Sequence, residues 1–381
     1  MKIAVIINSL SGGGAERFVA YLVPYLEKID VDVQLILLND NRRYKLDTRD
    51  DVIILDNCNE NQSEFLKLIK LPILAFRLNK IIKEKKIDFC VSFLTRSSFL
   101  LALTKIISVQ NRIIISERSY SSEQYGYFNL KSFINKILIR VLYPKANKII
   151  TNSIGNANDL IKNFNIKNTK IATVYNPLCI EKVDSYQGID GFFDKRFFNI
   201  ISVGRIDEGK NHKLIINAIK LIPNLNIRVY IFGEGKLRKE LDTLIKQNNL
   251  TSRVFLCDFQ ENIFEYLKSS DLFLFSSNHE GFPNVLLEAM ACGLPIVTTN
   301  CPSGPNELLE SEFDYSYEKM IQTKYGILVP RHSETIMAQA LETMVFNREY
   351  YLNCKQFVKI RSLDFDKEVI LKQFYDEIIT T

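Results

Sequence analysis

Two carboxylates, Glu280 and Glu288, stand eight residues apart with Gly281-Phe282-Pro283-Asn284 between them. Proline suits the first position of a helix, where its missing N–H would have had no partner. The sequence therefore predicts a helix that begins at Pro283, runs to Cys292 and is ended by Gly293 and Pro295. Glu280 then lies just ahead of that helix and Glu288 nearly two turns inside it. At a rise of about 1.5 Å per residue they are roughly 10 Å apart, the scale of a sugar joined to a nucleoside through a diphosphate. The free N–H groups and positive dipole end between them suit a phosphate. Alone, such a pair reads as a solvated surface helix. The apolar run Leu272-Phe273-Leu274-Phe275 decides otherwise, because a helix that follows a buried parallel strand opens at the carboxyl end of a sheet, where α/β folds hold ligands.

A second group, Gly204-Arg205-Ile206-Asp207-Glu208-Gly209-Lys210-Asn211-His212, follows another apolar run. Arg205 offers a planar fork and Lys210 a point charge, two ways of holding a diphosphate and offsetting the charge that grows on it as it leaves. A third, Ser11-Gly12-Gly13-Gly14-Ala15-Glu16, provides backbone without side chains, which can approach an anion or a sugar ring. As a dinucleotide fingerprint this loop fails, since its third small position falls on Arg17, and Gly233-Glu234-Gly235 likewise runs into Arg238. Both failures disfavour a dehydrogenase. No Gly-x-Ser-x-Gly elbow is present, which disfavours a serine hydrolase.

These loops need a scaffold, and the chain supplies one twice. Apolar runs of four to seven residues alternate with longer segments of helical period, the pattern of parallel sheets crossed by helices. Strands are expected at 3–7, 33–38, 52–55, 89–93, 112–116, 148–151 and 171–174, and again at 198–203, 227–232, 254–256, 272–275, 295–298 and 326–329. The turn-rich stretch 175–191 reads as the linker between two α/β halves.

The Glu-x7-Glu segment, its continuation Glu-Ala-Met-Ala-Cys-Gly-Leu-Pro-Ile-Val, the Gly-Arg…Lys-Asn pair and the triple glycine followed by Ala-Glu closely resemble the signature of family 4 retaining glycosyltransferases. The resemblance covers nearly the whole chain. It implies the α/β fold called GT-B, with two Rossmann-like domains facing across a cleft. An acceptor domain is expected over 1–180 and a donor domain over 196–360, with a last helix, about 364–381, returning to the first. It also implies that Glu280, Arg205 and Lys210 are catalytic, with Glu280 at the donor sugar and both cations on the diphosphate. Glu288 would take the ribose hydroxyls, while backbone at Gly13, Gly14, Gly204, Gly281, Phe282, Asn284 and Val285 would approach the donor. The base would lie against Asp258 and Phe259, although family members often carry glycine where Asp258 stands. The loop Cys301-Pro302-Ser303-Gly304-Pro305-Asn306-Glu307 resembles one in bacterial transferases that build surface polysaccharides from UDP-linked hexoses or N-acetylhexosamines. One departure is clear: His212, His279 and His332 all lie in the second half, so the first-domain histidine of many relatives is missing. Ser116-Glu117-Arg118 ends a strand at about that site. Same-face retention tolerates this loss, because the departing phosphate can take the acceptor's proton. No metal is expected, with Arg205, Lys210 and the helix dipole doing a cation's work.

Composition sets the remaining bounds. With 381 residues, 46% hydrophobic and 24% charged, the chain suits two soluble domains with separate cores. No run reaches the roughly 18 apolar residues of a membrane span, and no signal peptide is legible. Seven scattered cysteines, Cys58 among them, show no Cys-x-x-Cys spacing and point to a reducing cytosol. Residues 1–180 hold 26 Lys+Arg against 16 Asp+Glu, or +10, and the remainder 23 against 28, or −5. Within the basic half, 124–158 has no acid at all and interleaves Lys131, Lys136, Arg140, Lys145 and Lys148 with apolar residues; 66–86 also interleaves basic with apolar residues. Such stretches suit either an anionic membrane surface or a helix packed by its apolar face. No nucleic-acid-binding motif is visible. The expectation is thus a transferase that moves a hexose or N-acetylhexosamine from a nucleotide-sugar donor, UDP-linked, to a glycan acceptor linked to undecaprenyl diphosphate, in capsule or O-antigen assembly. It would be cytoplasmic and peripheral on the inner face of the cytoplasmic membrane. The rivals are a UDP-sugar epimerase of the same fold and a catalytically silent nucleotide-sugar-binding protein.

Overall fold

Buried isoleucine and valine runs set the architecture, since a parallel strand covered on both faces is apolar along its whole length. The computed structural model describes every residue except 45, 47, 57–63, 109, 127–128 and 313–315; Cys58 is outside the described residues. The chain divides into two units, one made of Met1–Pro177 with Lys367–Thr381 and the other of Leu178–Asp366.

In the first unit the strands are β1 (Lys2–Ile7), β2 (Asp32–Leu37), β3 (Ile53–Ile54), β4 (Phe89–Phe93), β5 (Arg112–Glu117), β6 (Lys148–Thr151) and β7 (Ile171–Thr173). All are parallel, in the order β3-β2-β1-β4-β5-β6-β7. The helices are α1 (Gly14–Lys28), α2 (Glu64–Ile69), α3 (Leu71–Glu84), α4 (Thr95–Ile107), α5 (Ser121–Gln124), α6 (Leu130–Leu142) and α7 (Ile154–Phe164). Alternation along β1 builds two cores. Ile3, Val5 and Ile7 pack with α1, whereas Ala4 and Ile6 share a cluster with α3, α4 and α6.

The second unit holds α8 (Ile180–Asp184), β8 (Phe198–Val203), α9 (His212–Leu221), β9 (Ile227–Phe232), α10 (Arg238–Gln247), β10 (Val254–Cys257), α11 (Phe264–Ser269), β11 (Leu272–Phe275), α12 (Asn284–Ala291) and β12 (Ile296–Thr299). It continues with α13 (Pro305–Leu308), β13 (Ile321–Gln322), β14 (Gly326–Val329), α14 (Glu334–Phe346) and α15 (Arg348–Ser362). Its sheet runs β10-β9-β8-β11-β12-β14-β13, parallel except for the edge strand β13, which the sequence did not reveal. Each sheet reverses its strand order once, between β1 and β4 and between β8 and β11, and loops at such a reversal leave a crevice outside the carboxyl ends.

The second unit starts at Leu178, ahead of the expected 196, because 178–195 packs onto it. Tyr186 stacks on Phe264 with centroids 5.5 Å apart, and the Ile189 N–H donates to Glu265 O at 3.2 Å. The final helix α16 (Lys367–Ile379) belongs to the first unit. Its Phe374 lies 4.8 Å from Phe18 and 5.7 Å from Phe93, centroid to centroid. No described helix is long and apolar enough to cross a membrane.

Candidate active site

The two strands at the reversal of the second sheet deliver the two sequence groups. The loop after β8 carries Gly204 to Asn211, and the one after β11 carries Ser276 to Pro283. Polar links tie these loops together. Asn278 N–H donates to Gly209 O at 2.8 Å, Asn278 Nδ2 to Glu208 O at 2.9 Å, and Ser276 Oγ to Lys210 O at 2.7 Å. Asp207 Oδ1 accepts from the Lys210 N–H at 3.0 Å. The result is that Lys210 Nζ meets Glu280 Oε1 at 2.5 Å, both side chains less than a fifth exposed, with the ammonium 5.0 Å from the centre of the Phe275 ring. Arg205 differs: its side chain is 83% exposed and, among the described residues, its one ion pair is with Asp207, at 3.5 Å. It is a guanidinium free to turn toward an anion.

The glycines here answer to packing. A Cβ on Gly233 would lie 2.0 Å from Gly204 O, and one on Gly235 2.2 Å from Ile206 O, so the turn after β9 fits beneath the 204–206 backbone only without side chains. Gly304 plays the same part toward Pro283, whose Cδ would be 2.4 Å from an added Cβ, and Ser303 Oγ donates to Gly281 O. The loop after β12 thus props the Gly281–Pro283 turn.

One expectation is corrected. Pro283 is not the first helical residue; at φ −78°, ψ 97° it is the extended residue ahead of α12, which starts at Asn284. Glu288 remains in the second turn, 9% exposed. Gly281, Asn284 and Val285 are partly exposed at this end, whereas Phe282 is buried with its ring 5.9 Å from Phe365, leaving only its backbone for a ligand. Asp258 and Phe259 follow β10, two strands away. The Asp258 carboxylate pairs with Arg238 at 2.9 Å, and Phe259 is 53% exposed. His212 is 3% exposed, and burial, then Lys210, pushes its imidazole down to about 4; its Nδ1 has no partner among the described residues.

Gly13 and Gly14 belong to the first unit, where Gly13 caps α1. Glu16 folds back there, so that a Cβ on Gly13 would come within 2.4 Å of its Oε2. The helix end therefore already carries a carboxylate, which sequence reasoning did not foresee. At the end of β5, burial pushes the Glu117 carboxyl up. Glu117 accepts from Tyr143 Oη at 2.6 Å and from Ser119 Oγ at 2.6 Å. Its neighbour Arg118 stacks 3.7 Å above Phe18 and donates to Asn176 at 2.9 Å.

Comparison with known proteins fits this geometry. Residues 12–182 match the family model "Glycosyltransferase Family 4", and 190–361 match "Glycosyl transferases group 1". The chain is 35% identical over 371 residues, 97% of both chains, to N-acetylgalactosamine-N,N'-diacetylbacillosaminyl-diphospho-undecaprenol 4-alpha-N-acetylgalactosaminyltransferase of Campylobacter jejuni subsp. jejuni serotype O:2. A second protein of that organism, GalNAc-alpha-(1->4)-GalNAc-alpha-(1->3)-diNAcBac-PP-undecaprenol alpha-1,4-N-acetyl-D-galactosaminyltransferase, is 28% identical over 98% of each chain. Among solved structures, Anabaena Alr3699/HepE in complex with UDP superposes with a TM-score of 0.78 at 18% identity, covering 100% of both chains. The two parallel-sheet units are thus the GT-B fold, and the chain belongs to the family 4 glycosyltransferases.

Proposed function

We propose that the protein is a retaining, metal-independent transferase that moves a hexose or N-acetylhexosamine from a UDP-linked donor to a glycan on a lipid diphosphate, in capsule, O-antigen or related synthesis. The observation that carries this reading is the Lys210–Glu280 pair at the carboxyl ends of β8 and β11 with the exposed Arg205 guanidinium in the same loop. A diphosphate entering there finds one fixed and one adjustable cation. As the bond from the anomeric carbon to the phosphate oxygen breaks, both offset the charge that grows on the leaving group. That oxygen can take the proton of the acceptor hydroxyl on the same face of the sugar, so configuration is kept without an enzyme base. Glu280, held by Lys210, faces the position of the transferred sugar, where its charge favours a ring gaining positive character. The printed activities of the two Campylobacter relatives, both on diphospho-undecaprenol glycans, support the acceptor class, and the UDP in the Anabaena structure supports the donor.

An anionic membrane surface completes the reading. On α6 the apolar residues divide: Ile139 and Leu142 are buried, whereas Leu130, Phe133, Ile137 and Val141 are 42–73% exposed beside Lys131 and Arg140. Leu66, Ile69, Ile73 and Phe76 form a like stripe on α2 and α3, near Arg77 and Lys80. Burial of the inner face alone does not account for these outer residues, which suit insertion at a headgroup boundary.

The test is transfer itself. A panel of UDP-hexoses and UDP-N-acetylhexosamines is incubated with a polyprenyl-diphosphate glycan in the presence of EDTA, with product mass read by mass spectrometry and the new anomeric configuration by NMR. Arg205→Ala and Lys210→Ala should each lower kcat about 100-fold while the protein stays folded. An inverted product, full dependence on a divalent ion, or near-normal turnover in both variants would refute the mechanism. An epimerised donor without transfer would favour the epimerase.

A further inference from the structure

Arg238 is the residue on which the Gly233-x-Gly235 fingerprint breaks, and it is the first residue of α10. Its guanidinium reaches four acceptors, one in the turn after β9 and three on the last residues of β10 and the residue that follows. Nη1 donates to Gly233 O and Cys257 O, each at 3.1 Å, and Nη2 donates to Leu256 O at 3.0 Å and to Asp258 Oδ1 at 2.9 Å. Gly233 N–H adds a bond to Cys257 O at 3.2 Å. β10 is the edge strand of the sheet, held by β9 on one side only, so its carboxyl end would otherwise fray. A planar fork with donors in fixed directions can hold four oxygens at once, which a lysine ammonium cannot.

Beyond this clamp the chain presents unused groups. The backbone N–H groups of Asp258, Phe259 and Gln260 have no partner among the described residues, and the Phe259 ring is half exposed. An exposed aromatic face can stack a base, and a backbone N–H with a nearby C=O can pair with a base edge. Uracil offers an acceptor, O4, beside a donor, N3–H. Cytosine reverses that order, with a donor at N4 and an acceptor at N3. A backbone edge held in one position accepts one order and rejects the other, whereas a slack edge adapts to both.

We propose that Arg238 is a positioning residue that sets nucleobase selectivity: by clamping Leu256–Asp258 it fixes the backbone edge that reads the donor's uracil. This rests on the proposed binding of a UDP-linked donor by the second unit. In Arg238→Lys, UDP should bind about ten-fold more weakly while CDP changes little, so the preference for UDP over CDP falls about ten-fold. KM for the donor should rise in step, with kcat at saturation within about two-fold of the unaltered protein. Lys246→Ala, which cuts an exposed ion pair with Asp242 in the last turn of the same helix, should keep the preference.

The experiment is calorimetric titration of UDP and CDP into the full-length protein and both variants, with melting curves to confirm folding. A second measurement needs no variant: in the unaltered protein UDP, but not CDP at equal concentration, should slow amide hydrogen exchange over 257–260. A folded Arg238→Lys protein that keeps its UDP preference overturns the role of Arg238, as does UDP binding that leaves 257–260 unprotected. An unaltered protein that binds no nucleoside diphosphate overturns the donor reading, and this inference with it.

Discussion

Cutting the Lys210–Glu280 pair should cost stability, and cutting it on the carboxylate side should yet leave UDP binding intact. Removing one partner of a fully buried ion pair costs about 3–5 kcal/mol, because the other charge is left without compensation. Here the two side chains are 18% and 15% exposed, so water screens part of the loss and about 2–3 kcal/mol is expected. For the second unit, roughly 190 residues, each kcal/mol is worth about 2–4 °C, so Lys210→Met should lower its melting temperature by about 5–10 °C. Glu280→Gln should cost less, since the amide oxygen still accepts from the ammonium. The double variant removes both charges and should fall short of the summed losses by at least about 1 kcal/mol. UDP separates architecture from ligand. In Glu280→Gln the ammonium no longer faces a carboxylate, so UDP should bind at least as tightly as before, and at 100 times its Kd it should return about 2.7 kcal/mol. Turnover should nevertheless fall. Denaturant titrations and scanning calorimetry with and without UDP would measure all of this. A coupling below about 0.5 kcal/mol, or UDP binding lost in Glu280→Gln, would refute the reasoning.

His212 makes stability depend on pH. Its folded value of about 4 lies below the ordinary 6.5, so the unfolded chain takes up a proton first; stability is full above pH 6.5 and is lost as the pH falls toward 4, by at most about 3 kcal/mol. His212→Gln should flatten that slope in urea titrations at pH 7 and pH 5, and an unchanged slope would show that other groups cause it. At the membrane, the protein should cosediment with anionic vesicles and release as salt rises, since exposed charges are screened beyond ~10 Å at 0.1 M. Joint replacement of Lys131, Lys136 and Arg140 by Glu should abolish this, and binding that ignores lipid charge, salt and the replacements would leave α6 without that role.

Strands such as 198–203 and 272–275 were legible because continuous apolar runs admit little else in a sheet covered on both faces. β13 was not, since a two-residue edge strand has no period to read. The start of the second unit was misplaced because 178–195 looks like turn sequence, and only its contacts with α11 give it a place. At the site, residue types and loops could be named from the chain. The meeting of Lys210 with Glu280 could not, since 70 residues separate them and only the pairing of β8 with β11 brings their loops together. Arg238 was visible solely as a broken motif. What it does depends on the end of β10, some twenty residues further on.

The return of α16 also bears on how the protein is made. Residues 178–366 can close as one continuous stretch whose ends already meet, with Leu178 N–H donating to Phe365 O at 2.8 Å. The first unit cannot, because Phe18 and Phe93 wait for Phe374 to cover them. On the ribosome the half translated first is therefore the half completed last, against the usual order in which domains mature as they emerge. Until 367–381 leave the exit tunnel, Phe18 and Phe93 lack the Phe374 ring that they pack against in the folded unit.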